Sequence, residues 1–155
     1  MKIQITPQKR LDDHLVIWPE QTGEVDIVLD PRRSGGLVAL KGSVTSLYCF
    51  GLIGETKHDL VLPMLQRMHD MMAEGGTVYF IENNCDYLFR AYTGGDLSLI
   101  DFCEKFAKKS YINQPVLIEL LGKAGFKRDK MKTWTSVEGL KIQVAHFEFV
   151  LSASK

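Results

Sequence analysis

Residues 58–83 read HDLVLPMLQRMHDMMAEGGTVYFIEN, and the change of period inside this stretch constrains the fold more than any other feature. Val61, Met64, Leu65, Met68, Met71 and Met72 recur at intervals of three and four, which puts them on one face of a helix. Asp59 is the expected N-cap. Pro63 fits such a helix if the first turn begins within about one turn upstream, where amide groups have no partner to lose. Gly75-Gly76 is the expected stop, because glycine takes the left-handed C′ conformation without a Cβ clash. The strand Thr77–Ile81 follows at once and runs out into Glu82-Asn83-Asn84. The methionines read as core packing rather than as an adaptable binding groove.

The remaining stretches extend this alternation. Lys2–Thr6, His14–Trp18 and Val25–Leu29 read as strands, and Arg32–Gly42, with its glycines, as loop or short helix. Val44–Phe50 carries no charge, as a strand buried on both faces would. Cys85–Ser110 is a long segment with a short helix around Leu97, Ile100, Asp101 and Phe102. NQPVLIELLGKAGF gives a helix with Val116, Leu117, Leu120 and Leu121 on one face, ended by Gly122 to Gly125. Lys127–Trp134 and Ile142–Leu151 close the chain as antiparallel strands around a turn near Glu138-Gly139. The expected fold is a single α/β domain spanning residues 1–155. It has a mostly parallel sheet of about seven strands, an antiparallel hairpin at one edge, and helices on both faces.

Composition narrows the function. Nineteen basic residues balance nineteen acidic ones, and no basic stripe interleaves with aromatics, so nucleic acid is not an expected partner. No apolar run approaches the ~20 residues that cross a bilayer, and the N-terminus has no apolar signal region; a cytoplasmic location without a membrane partner is expected. Cys49, Cys85 and Cys103 lack CxxC spacing and read as reduced thiols. They and the four histidines show no metal-ligand spacing, so no metal site is expected. Neither GxGxxG nor GxxxxGK[ST] occurs, which sets aside dinucleotide and P-loop chemistry.

LPMLQRMHDMMAEGGTVYFIEN, LIELLGKAGFKRDKMKTW and QVAHFEFVLSAS together resemble the second half of class I S-adenosylmethionine-dependent methyltransferases. In that family a helix, a glycine-glycine stop and the fifth strand stand at Ala73-Glu74-Gly75-Gly76 and after. The last helix stops at an Ala-Gly-Phe, here Ala124-Gly125-Phe126, before the sixth strand. GEVDIVLD is similar to the third strand and its closing acid. The short spacing looks most like compact methyltransferase-like proteins associated with sugar or polysaccharide genes.

The resemblance implies a Rossmann-like sheet with S-adenosylmethionine across the carboxyl ends of its parallel strands. The turn after the first strand should be glycine-rich, so that bare backbone can approach the cofactor. This chain has Thr6-Pro7-Gln8-Lys9 there; Pro7 has no amide to donate, and Gln8 and Lys9 bring side chains where the cofactor's methionine part would lie. Glu20 stands where an acid bonds the ribose hydroxyls, and Asp30 where one faces the adenine edge. Each also reads as an ordinary strand-end or turn acid. Phe50 opens Phe50-Gly51-Leu52-Ile53, in the place of the Asp/Asn-Pro-Pro-Tyr/Phe motif of amino-group methylators. Thr6, Glu20, Asp30 and Phe50 are thus the candidate cofactor-contacting positions, and no catalytic residue is assigned.

Three weaker features complete the reading. Lys9-Arg10 and Arg32-Arg33 read as a solvated face or a small anion-binding patch. Glu82, Asn83 and Asn84 can meet a ligand or make a turn, and His146 reads as a structural histidine. The expected function is a pseudoenzyme: a methyltransferase-like domain without cofactor, acting as a binding or assembly module through a protein partner or self-association. The alternative is an active S-adenosylmethionine-dependent methyltransferase on a small molecule or sugar, since methyl transfer needs alignment more than an acid–base pair.

Overall fold

A computed structural model of the chain describes residues 2–5, 27–29, 42–106, 108, 110–134, 136–137, 142–143 and 147–155; for 2–5, 27–29, 134, 136–137 and 142–143 it describes the backbone alone. The expected strand at His14–Trp18, the loop from Arg32 to Lys41, the basic pairs at Lys9-Arg10 and Arg32-Arg33, the turn at Glu138-Gly139 and His146 lie outside those residues.

In chain order the strands are β1 (Lys2–Ile5), β2 (Ile27–Leu29), β3 (Val44–Phe50), β4 (Met72–Asn83), β5 (Met131–Trp134), β6 (Ser136–Val137), β7 (Ile142–Gln143) and β8 (Glu148–Ser154). The helices are α1 (Leu52–Glu55), α2 (His58–Met71), α3 (Cys85–Gly94), α4 (Leu99–Phe106) and α5 (Gln114–Ala124). Six strands form one sheet in the order β2-β1-β3-β4-β8-β5, and β6 and β7 form a separate antiparallel ribbon. Of the seven strands expected, the described residues place six in this sheet, four of them parallel, so that the sheet is mixed; the remaining one, His14–Trp18, lies outside the described residues.

β1 is a central strand, parallel to β2 on one side (Ile3 opposite Ile27) and to β3 on the other (Ile3 opposite Leu47). β8 runs antiparallel between β4 and β5, as the closing hairpin requires. The apolar stretch at the chain's end is divided differently from the expected Ile142–Leu151 strand. Residues 142–143 belong to the ribbon, and the sheet strand begins at Glu148 and runs to Ser154. Likewise, a 3₁₀ turn at Arg128–Lys130 shortens the expected Lys127–Trp134 strand to β5.

Leu47 and Cys49 of β3, Val78 and Phe80 of β4, and Phe149, Leu151 and Ala153 of β8 share one face of the sheet. Val61, Leu65, Met68 and Met71 of α2, with Leu117, Leu121 and Ala124 of α5, cover that face. The other face carries Tyr48, Phe50, Ile81, Val150 and Ser152, which are buried as well. That explains the uncharged composition of β3, which has no solvent face for most of its length. The described helices of the core lie on the first face. The four methionines serve packing: Met68, Met71 and Met72 are buried and Met64 packs against the cluster.

The α2–β4 junction differs from expectation in three ways. The N-cap is Lys57, without a side-chain cap bond, and Asp59 lies in the first turn. Pro63 is the sixth helical residue, further in than one turn, so its missing N–H costs the carbonyl of Asp59 its i+4 helical partner; both residues are on the exposed side of the helix. The helix ends at Met71, not at the glycines.

β4 begins at Met72 and takes in Ala73-Glu74-Gly75-Gly76 as a bulge, since Val44 opposes Met72 while Ser46 already opposes Thr77. Gly75 has φ +74°, and a Cβ on Gly76 would lie 2.7 Å from the carbonyl oxygen of Val44. The bulge is tied to the chain's end by Gly75 N to Lys155 O (3.3 Å) and Lys155 N to Gly76 O (3.0 Å). Gly75 therefore supplies the positive φ of the bulge and Gly76 its close backbone approach, and neither ends the helix.

Candidate functional site

Four parallel strands end on one edge of the sheet, and the described part of that edge is built from the ends of β3 and β4. Phe50 closes β3, opposite Ile81, and is 1% exposed. Of the four expected cofactor-contacting positions it is the one within the described residues; Thr6, Glu20 and Asp30 lie outside them.

Gly51 turns the chain with φ +60°, and its N–H donates to the carbonyl of Ile81 at 2.8 Å. The turn leads into α1, whose first amides point inward to Glu82 at the end of β4. Oε1 of Glu82 accepts from Ile53 N at 2.8 Å, and Oε2 from Gly54 N at 3.3 Å. Glu82 is 2% exposed, and a carboxylate so buried is tolerated because these charge-assisted bonds replace water. The sequence marks Glu82 as a ligand candidate; the fold uses its side chain to hold the loop after β3.

A second set of bonds fastens Lys105, Lys108 and Ser110 near that loop. Lys108 Nζ pairs with Glu55 at 2.8 Å. Ser110 Oγ donates to Thr56 O at 2.6 Å, and Ser110 N to Gly54 O at 3.3 Å. Asn84 caps α3 by accepting from Tyr87 N at 3.3 Å, while Asn83 Nδ2 donates to Lys105 O at 3.4 Å. The asparagines thus perform the turn and capping work that their composition allowed. α3 itself was not legible in the Cys85–Ser110 segment, although Asn84 before it and Gly95 after it (φ +84°) are ordinary cap residues.

Between these elements lies a cleft lined by Gly51, Glu82, Asn83, Cys85, Phe106 and Tyr111 among others, with a void of about 30 Å³. That is room for roughly one water molecule, against the ~300 Å³ or more of a typical ligand pocket. Among the described residues no group of three or more His, Cys, Asp or Glu could hold a metal, and no helix is long and apolar enough to cross a membrane.

The thiols differ in environment. Cys49 is buried, Cys85 half-buried and Cys103 exposed, and all three are free. Burial, with the nearby Glu82 charge second, pushes the Cys49 thiol well above its ordinary range; burial also raises Cys85, with Asp86 adding. A raised acid contributes stability that is intact below the unfolded thiol value and is lost as pH rises above it, because only the unfolded chain then gives up the proton. Stability should therefore fall from about pH 8.5 upward, by up to ~1.4 kcal/mol per pH unit for Cys49, and Cys49→Ala should flatten that slope. Urea unfolding between neutral and alkaline pH measures it; identical slopes in the two proteins would contradict the assignment.

No protein-family model matches the chain, and none of the curated proteins does. Solved structures do. An S-adenosylmethionine-dependent methyltransferase of Archaeoglobus fulgidus superposes with a TM-score of 0.61 at 12% identity, over 99% of this chain and 75% of that one. One from Thermotoga maritima gives 0.57 at 16%, over 100% and 73%. An O-methyltransferase family protein of Burkholderia thailandensis gives 0.55 at 12%, over 99% of this chain but 43% of that one. Identities this low speak for the fold alone. The central β1, the parallel run β2-β1-β3-β4 and the antiparallel β8 between β4 and β5 agree with those likenesses: this chain has a class I S-adenosylmethionine-dependent methyltransferase-like fold.

Proposed function

We propose that this chain is a binding or assembly module built on the methyltransferase fold, without S-adenosylmethionine as a working cofactor. One observation carries the reading. β1 is the central strand whose carboxyl end a cofactor must approach, and the residues that follow it are Thr6-Pro7-Gln8-Lys9. Proline offers no amide, and no glycine stands there to admit the ligand against main chain. One further fact supports it: the amides of Ile53 and Gly54 after β3 are committed to Glu82.

The module would meet a protein partner or a second copy. β5 and β2 are the edges of the described sheet, and an edge strand carries backbone groups available for pairing. The second reading, an active methyltransferase on a small molecule or sugar, is favoured by the position of the cleft at the carboxyl ends of β3 and β4. In that case Thr6, Glu20, Asp30 and Phe50 would contact the cofactor.

Calorimetric titration with S-adenosylmethionine separates the two. No heat of binding up to about 1 mM ligand is expected; a dissociation constant near 1 μM would overturn the module reading and establish the enzymatic one.

A further inference from the structure

The cleft beside Glu82 ends a stack of aromatic rings. Tyr92 of α3 stacks on Phe102 of α4 with centroids 4.5 Å apart, Phe102 on Phe106 at 4.6 Å, and Phe106 on Tyr111 at 4.5 Å, with interplanar angles of 21–25°. Phe106 and Tyr111 both line the cleft, and Tyr111, the last ring, is 56% exposed. α4 contributes no buried residue, so the ladder is a wall of the cleft rather than part of the main core.

The charges on this wall are unequal in their partners. Glu82 is occupied by two backbone amides, and Lys108 by Glu55. Ser110 donates to Thr56, and the amide of Asn83 to Lys105 O. Lys105 also lines the cleft; its ammonium sits 4.7 Å from the Phe147 ring and makes no ion pair with a described carboxylate. A flat ring with one anionic substituent needs a ring face and a cation, and both are present.

We propose that Tyr111 and Lys105 form a binding site for a planar aromatic anion. The ring continues the ladder on Tyr111 at the cleft mouth, and its carboxylate or similar group meets the Lys105 ammonium. The water-sized void places the ligand across the mouth rather than beneath it. This names a ligand class for the module reading and rests on it.

The test is titration of the isotope-labelled 155-residue chain with 2-naphthoate, followed by amide shifts in two-dimensional NMR. Saturable shifts confined to residues 83–88 and 105–112 are expected. Tyr111→Ala should weaken binding about tenfold or more, while Tyr111→Phe keeps it. Lys105→Met, which retains the apolar stem, should abolish the preference for 2-naphthoate over neutral 2-naphthylmethanol. Absence of saturation up to about 10 mM, shifts located elsewhere, or equal affinity in Tyr111→Ala would overturn the proposal. The cofactor titration fails or succeeds separately. Silence toward naphthoate alone removes the ring site and leaves the module reading. Binding of S-adenosylmethionine removes the module reading, and the naphthoate shifts still decide whether the ring site exists.

Discussion

Glu82→Leu should cost about 4 kcal/mol of unfolding free energy, because it strands two buried backbone donors at once. Ile53 N and Gly54 N both deliver their hydrogens to this one carboxylate, at 2.8 and 3.3 Å. A buried amide left without an acceptor costs roughly 1–3 kcal/mol, and here there are two. Glu82→Gln keeps one acceptor oxygen but turns an NH₂ toward the other amide, so it should lose about half as much. The loss should also have a place. The loop Gly51–Thr56 and Ser110, which is fastened to it through Gly54 and Thr56, should lose hydrogen-exchange protection before α2 and α5 do. Equal stability of Glu82→Leu and the parent in urea would show that the carboxylate does not hold the loop.

Gly76→Ala should destabilise by about 3 kcal/mol for a different reason. The added carbon would stand 2.7 Å from Val44 O and 2.9 Å from Ala73 O, both backbone atoms, so no side-chain rotation relieves the contact. Relief requires β3 and β4 to part at the bulge, next to the buried Val44 and Met72. Gly75→Ala is the informative neighbour. Nothing lies within 4 Å of its Cβ, and it carries only the penalty of φ +74°, about 1 kcal/mol. Chemical denaturation of the pair measures the difference. If Gly76→Ala proves the milder of the two, the glycines are acting through conformation alone and the close approach is not what selects them.

These two sites also show what was legible beforehand. The helix face of α2, the uncharged β3 and the closing antiparallel strands could be read directly, because period and composition record which face an element buries. The cap role of Asn84 was within reach of its residue type. The end of α2 was not. A Gly-Gly after a helical run is compatible with a C′ stop or with a strand bulge, and the choice was made by Val44 O on the neighbouring strand. The same holds for Glu82. Its place at a strand end was visible, but its partners lie 28 and 29 residues earlier in the chain. The stack from Tyr92 to Tyr111 joins α3, α4 and the segment after them, and spacing along the chain did not announce it.

Local information in the chain therefore settled the apolar face of α2, the two-sided burial of β3 and the absence of a glycine after the first strand. Those properties depend on neighbours within a turn or two. What the polar and glycine residues are for was decided by tertiary structure, because a buried carboxylate, a Cβ-free contact or a ring stack is defined by atoms from distant segments. Only the closed fold brings Ile53 to Glu82, Val44 to Gly76 and Phe106 to Tyr111.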